Sequence, residues 1–132
     1  MKQLMLIFAL IPIAGAADAA APIEGKWKNP KGSVIINVAA CGAATYCGRV
    51  AWATAKAKAD ARQGGTANLV GTSLLTGLRA TGQGNYRGRV LLPKRDIHAT
   101  AYVRAAGPNA IDVKGCAVAG ILCKEQRWTR VN

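Results

Sequence analysis

The feature that most restricts the fold is a series of short β-rich runs, each followed by turn residues, without a sustained helical period. The runs are "GKWKN", "SVIINV", "GRVAWA", "TSLLTGLRA", "YRGRVLL", "IHATAYVR", "AIDVKGC" and "KEQRWTRV". In "YRGRVLL", Arg87 and Arg89 alternate with Gly88 and Val90, which is typical of a half-buried strand. About eight short strands joined mostly by hairpin-length turns predict an all-β protein, a small antiparallel up-and-down barrel. A β-sandwich is the alternative arrangement.

The first residues predict a secretory signal peptide. Lys2 precedes an apolar run over residues 4–14, and small residues with an Ala17-Asp18-Ala19 site follow. The run is shorter than the roughly 20 residues that a membrane-spanning helix needs. We expect a signal peptide over residues 1–19, with cleavage after Ala21 as the alternative, and one domain over residues 20–132. The protein is then exported, either to the periplasm or out of the cell.

The four cysteines all lie in the predicted mature chain, which favours two disulfides in an exported protein of this size. Five residues separate Cys41 from Cys47 and six separate Cys116 from Cys123. Zinc sites typically have two to four residues within each ligand pair, and thioredoxin-like centres have two. We therefore predict structural bridges, with local pairing of 41 with 47 and 116 with 123. Crossed pairing and free thiols are the alternatives.

The formal net charge of +12 favours anionic partners or surfaces. We predict attachment to anionic lipid or polysaccharide of the cell envelope through a basic patch consisting of Lys56, Lys58, Arg87, Arg89, Lys94 and Arg95. A charge that only keeps the protein soluble is the alternative. Aromatic residues are not interleaved with these bases, so specific nucleic-acid recognition is not expected.

One connection is long. Residues 54–70, "TAKAKADARQGGTANLV", separate two predicted strands. Connections longer than about 12 to 15 residues are often lids or binding loops. The other interpretation is a solvated Ala/Lys-rich excursion with a single helical turn.

Three segments, "IEGKWKN", "YCGRVAW" and "GCAVAGILCKEQRWTRV", resemble a family of exported bacterial proteins catalogued as domain of unknown function 2147 (DUF2147). The resemblance runs from about Ile23 to Val131 and implies a lipocalin-like barrel with a ligand cavity; no enzymatic activity is established for the family. "Gly25-Lys26-Trp27" resembles the opening motif of lipocalins, in which an arginine of the last strand covers the tryptophan at one barrel end. The resemblance implies that Gly25, Trp27 and Arg130 close this barrel end through a cation–π contact.

Most of the remaining aromatic residues are candidates to line a pocket for a small apolar ligand: Trp52, Tyr86, Tyr102 and Trp128. Alternation in "GRVAWA" predicts that Val50 and Trp52 face the same side of their strand. The other interpretation is ordinary core packing, with the abundant alanine and glycine producing a narrow, filled barrel.

Residues for catalysis are sparse. His98 shares a predicted strand face with Tyr102, and Asp96 lies in the preceding turn. A hydrolase or isomerase that uses His98 and Asp96 is the rival hypothesis. No serine lies in a Gly-x-Ser-x-Gly setting. We therefore expect a binding protein without enzymatic activity, without a cofactor and without a metal.

Overall fold

The computed structural model describes residues 21–117 and 122–132. The predicted signal peptide at residues 1–19 lies outside the described residues. The elements are eight strands and one helix: β1 Gly25–Lys28, β2 Val34–Gly42, β3 Thr45–Ala53, α1 Ala55–Gln63, β4 Ser73–Gly82, β5 Asn85–Leu92, β6 Ile97–Ala105, β7 Ala110–Ala117 and β8 Leu122–Val131.

The sheet closes on itself. Each strand pairs antiparallel with the next one in sequence, and β8 pairs with β1, so the order around the barrel is β1 to β8. The closing ladder is short and joins Trp27 to Arg130 and Lys28 to Thr129. This closure confirms the predicted all-β, up-and-down barrel and rules out the sandwich, in which two separate sheets would keep free edges.

Because consecutive strands are antiparallel, their connections alternate between two ends of the barrel. One end, here called the Trp27 end, contains residues 21–24 and the turns at 43–44, 83–84 and 106–109. The other end, here called the helix end, contains the turn at 29–33, the connection at 54–72 with α1, and the turn at 93–96.

The barrel interior is packed with apolar side chains. Those that are almost fully buried include Trp27, Ile36, Leu75, Leu78 and Ile111, and they belong to one continuous cluster. The barrel wall also comes close to itself. A Cβ on Gly88 would lie 2.5 Å from the Thr76 carbonyl oxygen, so only glycine permits β4 and β5 to approach in this way.

The predicted shared face of Val50 and Trp52 is wrong. The ladder between β2 and β3 pairs Ile36 with Val50 and Ile35 with Trp52, so Ala51 is an extra residue on β3. Such a bulge shifts the alternation by one position. Val50 is therefore buried in the barrel, whereas Trp52 lies on the outside and is 47 % exposed.

The structure contains two disulfides, Cys41–Cys47 and Cys116–Cys123, which confirms the prediction that the cysteines form two disulfides. The first joins β2 to β3 close to their turn at the Trp27 end. The second joins residues that face each other directly on β7 and β8, near the helix end. Each bridge therefore connects neighbouring antiparallel strands, as the local-pairing hypothesis expects.

The long connection is more ordered than the predicted single helical turn. Its helix α1 has nine residues, and the Thr54 hydroxyl accepts a hydrogen bond from the Ala57 N–H at the helix start. The helix runs from the turn at Ser33, whose carbonyl accepts the Thr54 N–H, to the turn at Lys94, against which Gly64 packs. The connection is thus attached to two other turns of the helix end.

Candidate functional site

The Trp27 end is closed by an aromatic–cation stack. Trp27 is fully buried, and its indole N–H donates a hydrogen bond of 2.8 Å to the Ile23 carbonyl. The Arg130 guanidinium carbon lies 4.2 Å from the centre of the Trp27 rings. This geometry is that of a cation–π contact. The structure thus places Trp27 and Arg130 together in the arrangement that the family resemblance implies.

Arg130 also connects separate parts of the chain. Its guanidinium donates to the carbonyls of Glu24 at 2.9 Å, Pro108 at 2.7 Å and Pro22 at 3.3 Å. Gly25 makes room for it, because a Cβ at this position would lie 2.3 Å from Arg130 Nη1. Gly25 also has a φ of +127°, which favours glycine. Gly25, the third residue of the predicted closure, therefore contributes because it has no side chain.

An open cleft lies beside Arg130 at the same end. It is lined by Ala21, Pro22, Glu24, Ala105, Gly107, Pro108, Asn109 and Arg130. Three of the five N–H donors of the Arg130 guanidinium already bond to carbonyls, so two remain for a group in the cleft.

The four pocket candidates do not lie together. Tyr86 and Trp128 are buried, whereas Trp52 and Tyr102 are on the outside and are 47 % and 42 % exposed. Tyr86 contacts Tyr46 edge-to-face with ring centres 5.9 Å apart, and burial raises the pKa of the Tyr86 hydroxyl. A single pocket lined by all four aromatic residues is therefore inconsistent with the structure.

Trp128 has an unusual environment within the interior. Its indole N–H is buried and has no hydrogen-bond acceptor among the described residues. An unpaired buried donor costs free energy, and it is a position where a water or a ligand acceptor atom would be stabilising.

The residues of the predicted basic patch lie in two parts of the fold, the helix end and the outer face of β5. Lys56 and Lys58 on α1 share the helix end with Lys94 and Arg95 of the turn at 93–96. We call these four residues the helix-end cations. Asp60 joins two of them, because its carboxylate lies 2.9 Å from Lys56 Nζ and 3.9 Å from Lys94 Nζ. The hydrogen bond from Lys56 lowers the pKa of Asp60.

The second group is on the outer face of the sheet. Arg79, Arg87, Tyr102 and Lys114 face one another in succession across β4, β5, β6 and β7. Arg87 Cζ and Lys114 Nζ lie 5.7 Å and 5.9 Å from the Tyr102 ring centre, so two cations flank one exposed aromatic ring. We call Arg79, Arg87, Arg89 and Lys114 the face cations. Arg79 and Lys114 were missed at the sequence level because only the strand register brings them beside Arg87.

A buried carboxylate on the outer face of β7 was not predicted from the sequence. Asp112 is 6 % exposed and lies between Arg104 on β6 and Arg127 on β8. It accepts hydrogen bonds of 2.8 Å from Arg104 Nη2 and from Arg127 Nε. The hydrogen bond from Arg127, which has the larger effect, and that from Arg104 hold the pKa of Asp112 well below its usual range. The cluster connects three neighbouring strands and neutralises part of the outer charge.

The candidate catalytic pair is solvent-exposed. His98 lies on the outside of β6, and Asp96 lies in the preceding turn with a φ of +49°. Both side chains are exposed to solvent and are not enclosed in a pocket that could hold a substrate between them. The placement of these two residues therefore gives no support to the hydrolase or isomerase hypothesis.

Within residues 21–117 and 122–132, no three His, Cys, Asp or Glu side chains are grouped so that they could hold a metal ion. No helix in this part of the chain is long and apolar enough to cross a bilayer.

Comparison with known proteins agrees with this architecture. No curated protein matches the chain. Among solved structures, the chain is similar to protein HP1028 from the human pathogen Helicobacter pylori, which belongs to the lipocalin family, with a TM-score of 0.64 and 12 % sequence identity. The match covers 83 % of this chain and 82 % of HP1028 and shows a lipocalin-like fold. The model of the DUF2147 family, described as uncharacterized protein conserved in bacteria, matches residues 25–130. The chain, a lipocalin-like barrel, therefore belongs to the DUF2147 family.

Proposed function

We propose that this protein is an exported, non-enzymatic binding protein that associates with anionic material of the cell envelope through the basic side chains on its outside. The observation that carries the proposal is the net charge of +12, together with the helix-end cations and the face cations, which are all exposed except the half-buried Lys58. The predicted cleavage would remove one cation and one anion, Lys2 and Asp18, and would leave the charge unchanged.

The face cations support the proposal through their mutual arrangement. Arg79 and Arg87 are direct cross-strand neighbours. Like charges in this relation are destabilising, and an anion that binds between them would remove the repulsion. Tyr102 lies next in the same row and offers an exposed ring between the Arg87 guanidinium and the Lys114 ammonium group.

The packed interior favours binding on the outside over binding inside the barrel. The nine largest fully buried side chains, each less than 2 % exposed, come from six of the eight strands and from residue Ile23. Interior side chains packed in this way occupy the volume in which larger lipocalin-like barrels hold a ligand. The narrow, filled barrel is the alternative that this packing supports.

The test is a titration of the mature protein with heparin, anionic vesicles and lipopolysaccharide. Two quadruple variants have equal loss of charge: Lys56, Lys58, Lys94 and Arg95 to Gln, and Arg79, Arg87, Arg89 and Lys114 to Gln. If about five contacts each release a counterion, raising salt from about 50 to 200 mM weakens polymer binding several-hundred-fold. We expect both variants to bind more weakly and with a smaller salt dependence. Absence of binding by the wild type at 50 mM salt would show that the charge serves only solubility.

A small ligand inside the barrel is a second candidate, favoured by the unpaired indole N–H of Trp128. A ligand with one acceptor atom and an otherwise apolar surface would satisfy that donor and contact the buried aromatic residues. Native mass spectrometry of protein purified without denaturation tests this candidate. A bound mass that is lost in Trp128→Phe would support it, and a spectrum of the bare chain alone would contradict it.

A further inference from the structure

The exposed apolar side chains are distributed unequally. Among the described residues, six large hydrophobic side chains are exposed, and five of them lie at the helix end. These five are between 37 % and 64 % exposed: Trp52, Val70, Leu92, Ile97 and Leu122. Single exposed apolar residues are normal on soluble proteins, but their concentration at one end of a barrel indicates a contact surface.

The topology explains why these residues share one end. Leu92 is the last residue of β5, Ile97 is the first of β6, and the two face each other directly. Leu122 is the first residue of β8, and Val70 lies in the connection that contains α1. Trp52 is the penultimate residue of β3 and lies opposite Ile35.

The helix end is also the basic end. Its turns and helical connection contain six cations and two carboxylates: Lys31, Lys56, Lys58, Arg62, Lys94 and Arg95 against Asp60 and Asp96. The Trp27 end differs in both respects. Glu24 is the one charged residue among residues 21–24 and the turns at 43–44, 83–84 and 106–109, and none of the exposed large apolar side chains lies there.

We infer that the helix end docks on the surface of a bilayer that contains anionic phospholipid, with the apolar side chains entering the interface and the cations facing lipid phosphates. This inference rests on the proposed function and specifies its partner and contact surface. A soluble polyanion would account for the cations alone. Exposed apolar side chains next to cations match the mixed apolar and electrostatic binding of interfacial proteins.

Trp52 has the position expected for an interfacial anchor. It follows Lys28 and Ile35 in a cross-strand row on the outside of the barrel, close to the helix end. Tryptophan is enriched at the boundary between headgroups and acyl chains, where its apolar ring and its N–H group are both accommodated. The β-bulge at Ala51 is what turns this ring outward.

Trp52 also provides a direct readout on the wild-type protein. The other two tryptophans, Trp27 and Trp128, are 0 % and 8 % exposed, so Trp52 is the indole that lipid can reach. The probe is a vesicle of phosphatidylglycerol and phosphatidylcholine, with and without bromine on the acyl chains. We expect brominated lipid to quench Trp52 emission in wild type, to have little effect in Trp52→Phe, and to have none when the vesicles contain phosphatidylcholine alone.

The second arm measures vesicle and heparin binding of a double variant, Leu92→Ser with Ile97→Ser. We expect vesicle affinity to fall about tenfold or more, because two apolar contacts are lost, with heparin affinity unchanged. Val131→Ser is the control for vesicle binding, since this apolar side chain is partly exposed but belongs to the last residue of β8, at the opposite end of the barrel. If the double variant does not fold, as judged by near-ultraviolet circular dichroism, the quenching measurement on wild type decides.

The outcomes separate the two proposals. Wild type that binds anionic vesicles without quenching by brominated lipid, or a folded double variant that binds them as tightly as wild type, overturns the docking of the helix end and leaves the proposed function intact. Wild type that binds neither heparin nor anionic vesicles at low salt overturns both.

Discussion

Among single residues, Trp27 is expected to contribute most clearly to stability, because it closes one end of the barrel. Trp27 is fully buried and has both a hydrogen bond to Ile23 and the stack with Arg130. We expect Trp27→Ala to lower the free energy of unfolding by about 3 to 5 kcal/mol, as for other buried large aromatic residues. Urea denaturation with the disulfides intact measures this, with the exposed Tyr102→Ala as control. A loss below about 1 kcal/mol, on the scale of a surface substitution, would contradict a closing role for Trp27.

The lowered pKa of Asp112 leads to a second prediction, which concerns the pH dependence of stability. Its pKa is lowered in the folded protein by hydrogen bonds from Arg127 and Arg104, whereas the unfolded chain has a value of about 3.9. A lowered folded pKa contributes stability that is fully present above the unfolded value and is lost as pH falls from there towards the folded value. We expect Asp112→Asn to be less stable than wild type by about 1 to 3 kcal/mol at pH 7. The difference should shrink below about pH 4.

Unfolding free energies of both proteins between pH 7 and pH 2 test this prediction. Asp60→Asn is the control, because Asp60 also has a lowered pKa but accepts its hydrogen bond from the exposed Lys56 on the same helix. A difference between wild type and Asp112→Asn that stays constant down to pH 2 would show that the charge of Asp112 is not what stabilises the cluster.

At the element scale, the two disulfides stabilise hairpins near opposite ends of the barrel. Closing loops this short removes chain entropy equivalent to about 2 to 3 kcal/mol for each bridge. We expect Cys41→Ser with Cys47→Ser, and Cys116→Ser with Cys123→Ser, each to cost about this amount. Because the bridges lie in different hairpins, their costs should add within about 0.5 kcal/mol in the protein that lacks both. Strong non-additivity would mean that the two bridges are energetically coupled, in the folded protein or in the unfolded chain. Peptide mapping without reduction verifies the links.

The strands could be predicted from the sequence because the alternation of apolar and polar residues and the turn residues are features of short segments. The structure differs from the sequence-based prediction where tertiary contacts override the local sequence pattern. One extra residue, Ala51, moved Trp52 from the predicted interior to the outside. Helix α1 has only one buried residue, Ala61, so its sequence "AKAKADARQ" has no apolar stripe that would predict a helix. Its order follows from the Thr54 cap and from contacts at Ser33 and Lys94.

At the scale of the whole molecule, the register of the closed barrel determines which charges become neighbours. Arg79, Arg87 and Lys114 are far apart in sequence and form one row with Tyr102 only because β4 to β7 are aligned in this register. The same alignment puts Asp112 between two arginines. Composition predicted a basic surface, but its division into the face cations and the helix-end cations follows from long-range pairing that sequence spacing does not contain.

The excess of positive charge leads to a prediction about the whole molecule, in which stability and binding respond to salt in opposite directions. A net charge of +12 on a chain of 132 residues destabilises the compact state through self-repulsion. Raising salt from about 10 to 150 mM shortens the screening length from about 30 to 8 Å, so we expect the unfolding midpoint to rise. Over the same range, affinity for heparin should fall. Replacing the four face cations with Gln should raise the midpoint at low salt and reduce its dependence on salt.

Thermal unfolding at several salt concentrations, with and without heparin, measures both responses. At low salt, heparin at about 100 times its Kd should stabilise the wild type by about 2.7 kcal/mol, because it binds the folded state. This gain should be smaller in the face-cation variant at the same heparin concentration, since part of its binding surface is lost. A midpoint that falls as salt rises would show that attractive ion pairs, such as those of Asp112, outweigh the repulsion among the cations. In that case the row of Arg79, Arg87 and Lys114 would not be the source of strain that an anionic partner relieves.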